Sequence, residues 1–354
     1  MRFRNLLLLV IVLGFAFGCA LNQGRPDYSG IFWPKAPDRP RIQLLKIIYS
    51  SKDVAQANTA SKLLGASGGG WSFMKPHGVA VDDNDNVYVS DTGNIGIDEF
   101  NLDTGETSSL TPMGGWSLPG AIAVDNADGL IAAVNGKKID MYDLKTHQDK
   151  YTIGQGGDFN RPAGLAFDQT RKILYVSDSR DNRLYAYSIY GKREKVLAKP
   201  GLKKGNVFYP LGLATDAKGN LYEVDSMNWR IKVFSPEGKE IRTWGKHGDR
   251  TGMFDRPKAL AISKDGFVFV TDAQFCNFQV FDELGRAYMF FGDPGDKPGR
   301  FLIPEGIAVD DQDRIYVADS QNGRVEIFQL MTDAWWAKHP EGLAYFKTHP
   351  NGGF

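Results

Sequence analysis

Cysteine is nearly missing from this chain of 354 residues, which holds only Cys19 and Cys276. Two thiols cannot make a disulfide framework, so stability must come from a large buried core, and a chain of this length can build one. Histidine is scarce too, at five residues. No Cys-x-x-Cys-His run occurs, so the chain carries no haem of its own. An excess of charge of either sign is also lacking, with 42 basic side chains against 42 acidic ones. That balance gives no reason to expect nucleic acid or another strongly charged polymer as a partner. Long apolar runs are confined to one segment near the N-terminus.

That segment has the layout of an export signal over residues 1–18. Arg2 and Arg4 precede an apolar run, Leu6 to Phe17, too short to span a bilayer stably. Ala16-Phe17-Gly18-Cys19 resembles a bacterial lipobox, in which lipid is attached to the cysteine before cleavage leaves it as the new N-terminus. Ala16 and Phe17 depart from the usual leucine and small residue, and the same stretch satisfies the small-x-small rule of ordinary secreted proteins. The resemblance implies lipid on Cys19, membrane contact through that lipid, and a cell-envelope lipoprotein. Ala20, rather than Asp, points to the outer membrane by analogy. Residues 19–40 are rich in Asn, Gln, Gly, Pro, Asp and Ser and are expected to form a tether. Cleavage removes two arginines and leaves 40 basic groups, and lipid on Cys19 would leave Cys276 without an internal partner.

What the sequence has in abundance is repetition. Six stretches share one pattern, from KPHGVAVDDNDNVYVSD at Lys75 to IPEGIAVDDQDRIYVAD at Ile303. Their anchoring prolines are Pro76, Pro119, Pro162, Pro210, Pro257 and Pro304, so the repeats stand 43, 43, 48, 47 and 47 residues apart. That is the length of one four-stranded propeller blade. After each proline comes a short strand of small residues such as Gly78-Val79-Ala80-Val81, suited to the crowded wall of a central channel. An Asp/Asn/Gly turn and a β-branched, aromatic strand follow. Alternation in Arg230-Ile231-Lys232-Val233-Phe234 and Glu240-Ile241-Arg242-Thr243-Trp244 predicts two more antiparallel strands, with no helical period inside the repeats. The fold class is therefore all-β, a six-bladed β-propeller over residues 41–330. The sixth repeat lacks a clear fourth strand, and Ile42 to Tyr49 offers one, so the N-terminal strand is expected to close the last blade. Residues 331–354, with Trp335, Trp336, Tyr345 and Phe346, are expected to pack on the propeller near that seam.

Phe291-Gly292-Asp293-Pro294-Gly295, Gly299-Arg300-Phe301, Pro304-Glu305-Gly306-Ile307-Ala308-Val309-Asp310, Ile315-Tyr316-Val317-Ala318-Asp319 and Asn322-Gly323-Arg324-Val325 together resemble a near-complete NHL repeat. The likeness runs over about residues 71–330. Blade 2 departs most, with Asn135 for the usual Asp. Proteins resembling this family include sensor ectodomains, amidating lyases, RNA-binding domains and bacterial lipoproteins, some of them encoded beside multihaem cytochromes. Fold alone does not choose among these roles.

Two repeated sets of residues share one face of the ring. The first follows the prolines: His77, Gly120, Ala163, Leu211, Lys258 and Glu305. These differ from blade to blade, which a structural position need not do, so His77, Leu211, Lys258 and Glu305 are the candidate binding residues at the mouth of the channel. The second set ends the second strands: Asp91, Asn135, Asp178, Asp225, Asp272 and Asp319, with Arg183, Arg230 and Arg324 five residues further on in three blades. These are read as turn braces, in which Asp and Arg bond the turn and each other. The lyase resemblance implies a zinc ligand at His77, but only Glu305 could join it, and zinc needs three or four ligands. A calcium hydrolase of the lactonase kind would use the acidic turns of the opposite face, at Asp82, Asp83 and Asp85 and at Asp310, Asp311 and Asp313, which read equally as solvated turn caps. The expectation is thus no catalytic residue, metal or cofactor. The chain is expected to be a monomeric binding or scaffold module for a protein, peptide or glycan at the envelope, within an electron-transfer assembly if the cytochrome-linked relatives are the guide. The alternative is a metal-dependent lyase or lactonase using the same mouth.

Overall fold

The structure, a computed structural model, describes residues 28, 30–35, 38–54, 70–112 and 114–340. Cys19, the export signal and most of the expected tether lie outside the described residues, as do Tyr345 and Phe346.

Six sheets form the ring, antiparallel except for the short parallel strand Asn206–Val207 at the outer edge of blade 3, each with its innermost strand opened by an anchoring proline. In every blade that proline pairs with the residue that ends the second strand, as Pro76 with Asp91, Pro119 with Asn135 and Pro304 with Asp319. Neighbouring inner strands run so close that a side chain would not fit between them. A Cβ on Gly164 would lie 2.1 Å from the Leu211 carbonyl oxygen, and one on Gly306 would lie 2.3 Å from that of His77. A small residue two places after the proline is therefore a steric requirement of the ring. Hydroxyls lock three of the seams at the same level. Ser90, Ser177 and Thr271 donate to the carbonyls of Gly120, Leu211 and Glu305 in the following blades, at 2.7, 2.6 and 2.9 Å.

The core is divided among the seams rather than gathered at one centre. Each junction between blades holds its own cluster of buried residues, such as Tyr222, Val224, Phe254 and Leu260 between blades 4 and 5. Phe73, Phe159, Phe254 and Phe301, each three residues before a proline, plug the blades near one face and are buried.

The ring closes through its two ends. Ile42–Ile48 pairs antiparallel with Arg324–Leu330, from Ile42 opposite Leu330 to Ile48 opposite Val325. Within the tether expected over residues 19–40, Phe32–Trp33 adds a fifth strand outside Ile42 and Gln43. Trp33 packs edge-on against Phe291 at 4.9 Å and Phe328 at 6.2 Å, which explains why this short stretch is held. The helix Asp333–Lys338 sits at the same closure. Trp336 is buried there and donates its indole N–H to the Pro40 carbonyl at 3.1 Å.

Candidate functional site

All six post-proline residues line one cavity of about 440 Å³ at the top of the channel. Backbone irregularity puts them there. Pairing between first and second strands shifts register directly after the proline in every blade, for example between Pro257 and Leu260 and between Pro304 and Ile307. A residue released from the ladder in this way can aim its side chain into the opening. The floor of the mouth is apolar. Val79, Ile122, Leu165, Leu213, Leu260 and Ile307, each three residues after its proline, are buried and line both this cavity and the vestibule below it. An aliphatic girdle thus divides the channel.

Charge is concentrated at one side of the mouth. Lys258 Nζ lies 3.0 Å from Glu305 Oε1, and His77 Nε2 lies 3.9 Å from Glu305 Oε2. Desolvation pushes the His77 imidazole below its usual pKa, opposed by Glu305 and reinforced by Lys258 and Arg161. The ring is accordingly neutral at neutral pH. This donor set does not fit the zinc implied by the lyase resemblance. One imidazole and one carboxylate supply two ligands, and the Lys258 ammonium already holds that carboxylate.

Beneath the mouth, the acidic residues that end the second strands are fully buried and organise the loops leading into the inner strands. Asp91 accepts the main-chain N–H groups of Met74, Lys75, Gly93 and Asn94. Asp272 does the same for Asp255, Arg256, Gln274 and Phe275. Asn135 accepts from Ser117 and donates to Asp140. In blades 4 and 6 an arginine joins: Asp225 lies 2.7 Å from Arg230 Nε, and Asp319 lies 2.9 Å from Arg324 Nε. Arg324 is itself buried and also donates to the carbonyls of Asp296, Lys297 and Arg300 and to the Tyr49 hydroxyl.

Arg183 differs from the expected pairing. Asp178 is occupied by the N–H groups of Asn160, Arg161, Arg180 and Asp181, and the Arg183 guanidinium interacts with the Tyr185 hydroxyl instead. The blades also differ three residues after the Asp, where Asn228 and Asn322 donate side-chain amides to Asp225 and Asp319. Asp181 stands at that place in blade 3 and has no proton to give.

The opposite vestibule, about 830 Å³, has an acidic rim. Two of its turn carboxylates are engaged by their own loops. Asp82 accepts from Asn84, Asn86 and Tyr88, while Asp310 accepts from Gln312, Arg314 and Tyr316. Arg314 also bonds Asp85 across the seam between blades 6 and 1. Burial, with Asp265, Asp310 and Asp311 nearby, pushes Asp313 up to about 6. Among the described residues no group of three or more His, Cys, Asp and Glu is arranged to hold a metal ion.

Known families add to this geometry. Residues 73–94 and 301–328 match the NHL repeat, and residues 136–251 match the SMP-30/gluconolactonase/LRE-like region. The chain is a six-bladed β-propeller with NHL-repeat matches in its first and last blades. No curated protein sequence matches it. Among solved structures it is similar to an auxiliary nutrient binding protein from Bacteroides thetaiotaomicron VPI-5482, at 13% identity and TM-score 0.58, over 72% of this chain and 69% of that one. It is also similar to virginiamycin B lyase from Staphylococcus aureus, at 14% and 0.52, over 73% and 95%. A chain of a nidogen/laminin complex matches at 20% and 0.53, over 71% and 90%. At these identities the likeness concerns the fold alone.

Two residues of this propeller's mouth escape a reading based on the post-proline ring. Arg161 and Tyr209 stand one residue before their prolines, line the same cavity, and bond each other from Nη1 to the hydroxyl at 3.0 Å. The signal was available: that column reads Lys75, Leu118, Arg161, Tyr209, Arg256 and Ile303, as varied as the column after the proline.

Proposed function

We propose that this propeller is a binding or scaffold module at the cell envelope, held to the outer membrane by lipid on Cys19, whose top face receives a protein, peptide or glycan. One observation carries the reading. Six different residues occupy one repeated backbone position and open into a single cavity, while the Asp or Asn residues that end the second strands are repeated and consumed by their loops. A scaffold that holds the backbone constant and varies the residues at the mouth is suited to recognition. The surrounding rim supports this reading. Met74, Leu118 and Phe208, one or two residues before their prolines, leave 58%, 55% and 41% of their surface in solvent. Exposed apolar side chains grouped around an opening favour contact with a partner.

Affinity capture from intact envelopes tests the proposal, comparing the wild-type chain with a variant carrying Met74→Asp, Leu118→Asp and Phe208→Asp. Partners are expected to be retained by the first and lost by the second. Undiminished capture by the charged rim would sink the top-face reading. The anchor has its own check, because Cys19→Ser should move the protein from the detergent phase to the soluble fraction. An unmodified N-terminus by mass spectrometry would remove the lipid from the proposal.

A further inference from the structure

The mouth has an uneven charge balance, and one of its cations is uncommitted. Glu305 is the single carboxylate among the described residues lining the cavity, and Lys258 and His77 flank it. Arg161 is exposed and forms no ion pair among the described residues. Its guanidinium lies 6.0 Å from the centroid of the Tyr209 ring, and Nη1 donates to that residue's hydroxyl. Its main chain is fixed, since its N–H reaches Asp178 at 3.1 Å. A planar guanidinium steadied by an aromatic ring, with N–H groups still to satisfy, is a receptor for a carboxylate, which it can meet through two parallel hydrogen bonds.

Two further features narrow the ligand. Two cations against one carboxylate leave a single positive charge, which suits a monoanion and would leave a dianionic phosphate uncompensated. The floor below, from Val79 round to Ile307, is wholly aliphatic and offers a polar ligand nothing to bond. We propose, building on the mouth as the binding site, that it takes an amphipathic monocarboxylate, with the charged head at Arg161 and the aliphatic body on the girdle. At about 440 Å³ the cavity holds a small ligand or the end of a chain rather than a folded element. A short-chain free acid and the C-terminus of a peptide ending in an aliphatic residue present this same chemistry.

Calorimetric titration distinguishes these sources and tests the claim. The probes are hexanoate and hexanamide, and the tripeptide Gly-Gly-Leu with a free carboxylate or with a terminal amide. At least one acid is expected to bind about ten-fold or more tightly than its amide. Hexanoate alone would identify free acids, and the tripeptide alone would identify peptide termini. Arg161→Gln should weaken carboxylate binding by about ten-fold, and Arg161→Lys, which keeps the charge without the fork, should fall between. Both variants should melt like wild type, because Asp178 holds only the main chain of this residue. Equal binding of acid and amide, unchanged carboxylate affinity in Arg161→Gln, or no binding by either acid up to about 10 mM would overturn the proposal. Equal binding would still leave the mouth as a binding site, whereas undiminished envelope capture by the charged-rim variant would remove the mouth reading itself.

Discussion

Blades 3 and 4 stand side by side with the same backbone and fill equivalent seams in opposite ways. In blade 3, Val176 and Tyr185 lie in the seam with blade 2, where Tyr185 meets Phe159 and Tyr187 at centroid distances of 5.9 and 6.4 Å. In blade 4 the same two places hold Glu223 and Lys232, which are directly paired and fully buried. They share a sheet face with Leu221 and Phe234, which pack against Tyr175, Leu184 and Ala198 of blade 3. Lys232 is bonded to Glu240, whose carboxylate also accepts from the Gly205 N–H. Neither oxygen of Glu223 has a hydrogen-bond partner among the described residues. Burial pushes Glu223 well above the usual carboxylate range, Asp225 and Glu240 add to this, and Lys232 and Arg230 oppose it. The repeat therefore dictates the backbone of a blade and leaves the chemistry of its seam free.

The largest expected effect comes from the buried cation. Lys232→Met leaves Glu240 buried without its partner and should cost about 3–5 kcal/mol in chemical denaturation. Tyr185→Phe, at the equivalent place, removes a hydroxyl only 3.4 Å from Asp181 and should cost well under half as much. Similar losses would break the comparison. Glu223→Val comes next and acts in the other direction. Val89, Val176, Val270 and Val317 occupy this position elsewhere, and the change should stabilise by about 1–3 kcal/mol near neutral pH. Its sign with pH follows from the raised pKa. The unfolded chain releases the Glu223 proton near the ordinary value of about 4.3 while the folded chain keeps it, so wild-type stability contributed by this group falls as pH rises above that value. The advantage of Glu223→Val should thus be larger at about pH 8 than at about pH 5, and an advantage independent of pH would refute the assignment.

Smaller effects separate the two Asp–Arg spacings. Arg230→Ala breaks a 2.7 Å bond to buried Asp225 and should cost about 1–3 kcal/mol in thermal melts. Arg183→Ala should stay within about 0.5 kcal/mol. The smallest effect is the most specific. Asp181→Asn supplies the side-chain donor that blades 4 and 6 possess, so Arg183 should become coupled to Asp178. A double-mutant cycle between positions 178 and 183 should then rise by about 0.5–1 kcal/mol in that background, and no change would show that the asparagine does not shape the turn.

These contrasts mark what could be read before the structure. Blade number, strand order and closure by the N-terminal strand follow from proline spacing and alternation, because each is enforced six times over or by a strong local period. Phe32–Trp33 was not legible. Two residues carry no period, and what holds them is an edge and aromatic neighbours far along the chain. The post-proline residues were legible as a varied column, although the register shift that turns them into the mouth leaves no mark in composition. Arg183 shows the limit of spacing as a signal. The same five-residue interval gives an Asp–Arg brace in blades 4 and 6 and a contact with the Tyr185 hydroxyl in blade 3.

Closure of the last blade by Ile42–Ile48 also orders events in time. The pairing of Ile42 with Leu330 joins the first strand of the ring to the last of its repeats, so it cannot form while the chain is still emerging N-terminus first. Until then Arg324–Leu330 presents an unpaired edge, and the early strand must stay unpaired while the intervening blades assemble. Contacts of such long sequence separation form slowly, since the loop entropy is lost before any contact compensates. The assembled blades would therefore wait with one bare outer edge, on Arg324–Leu330, until Ile42–Ile48 docks there.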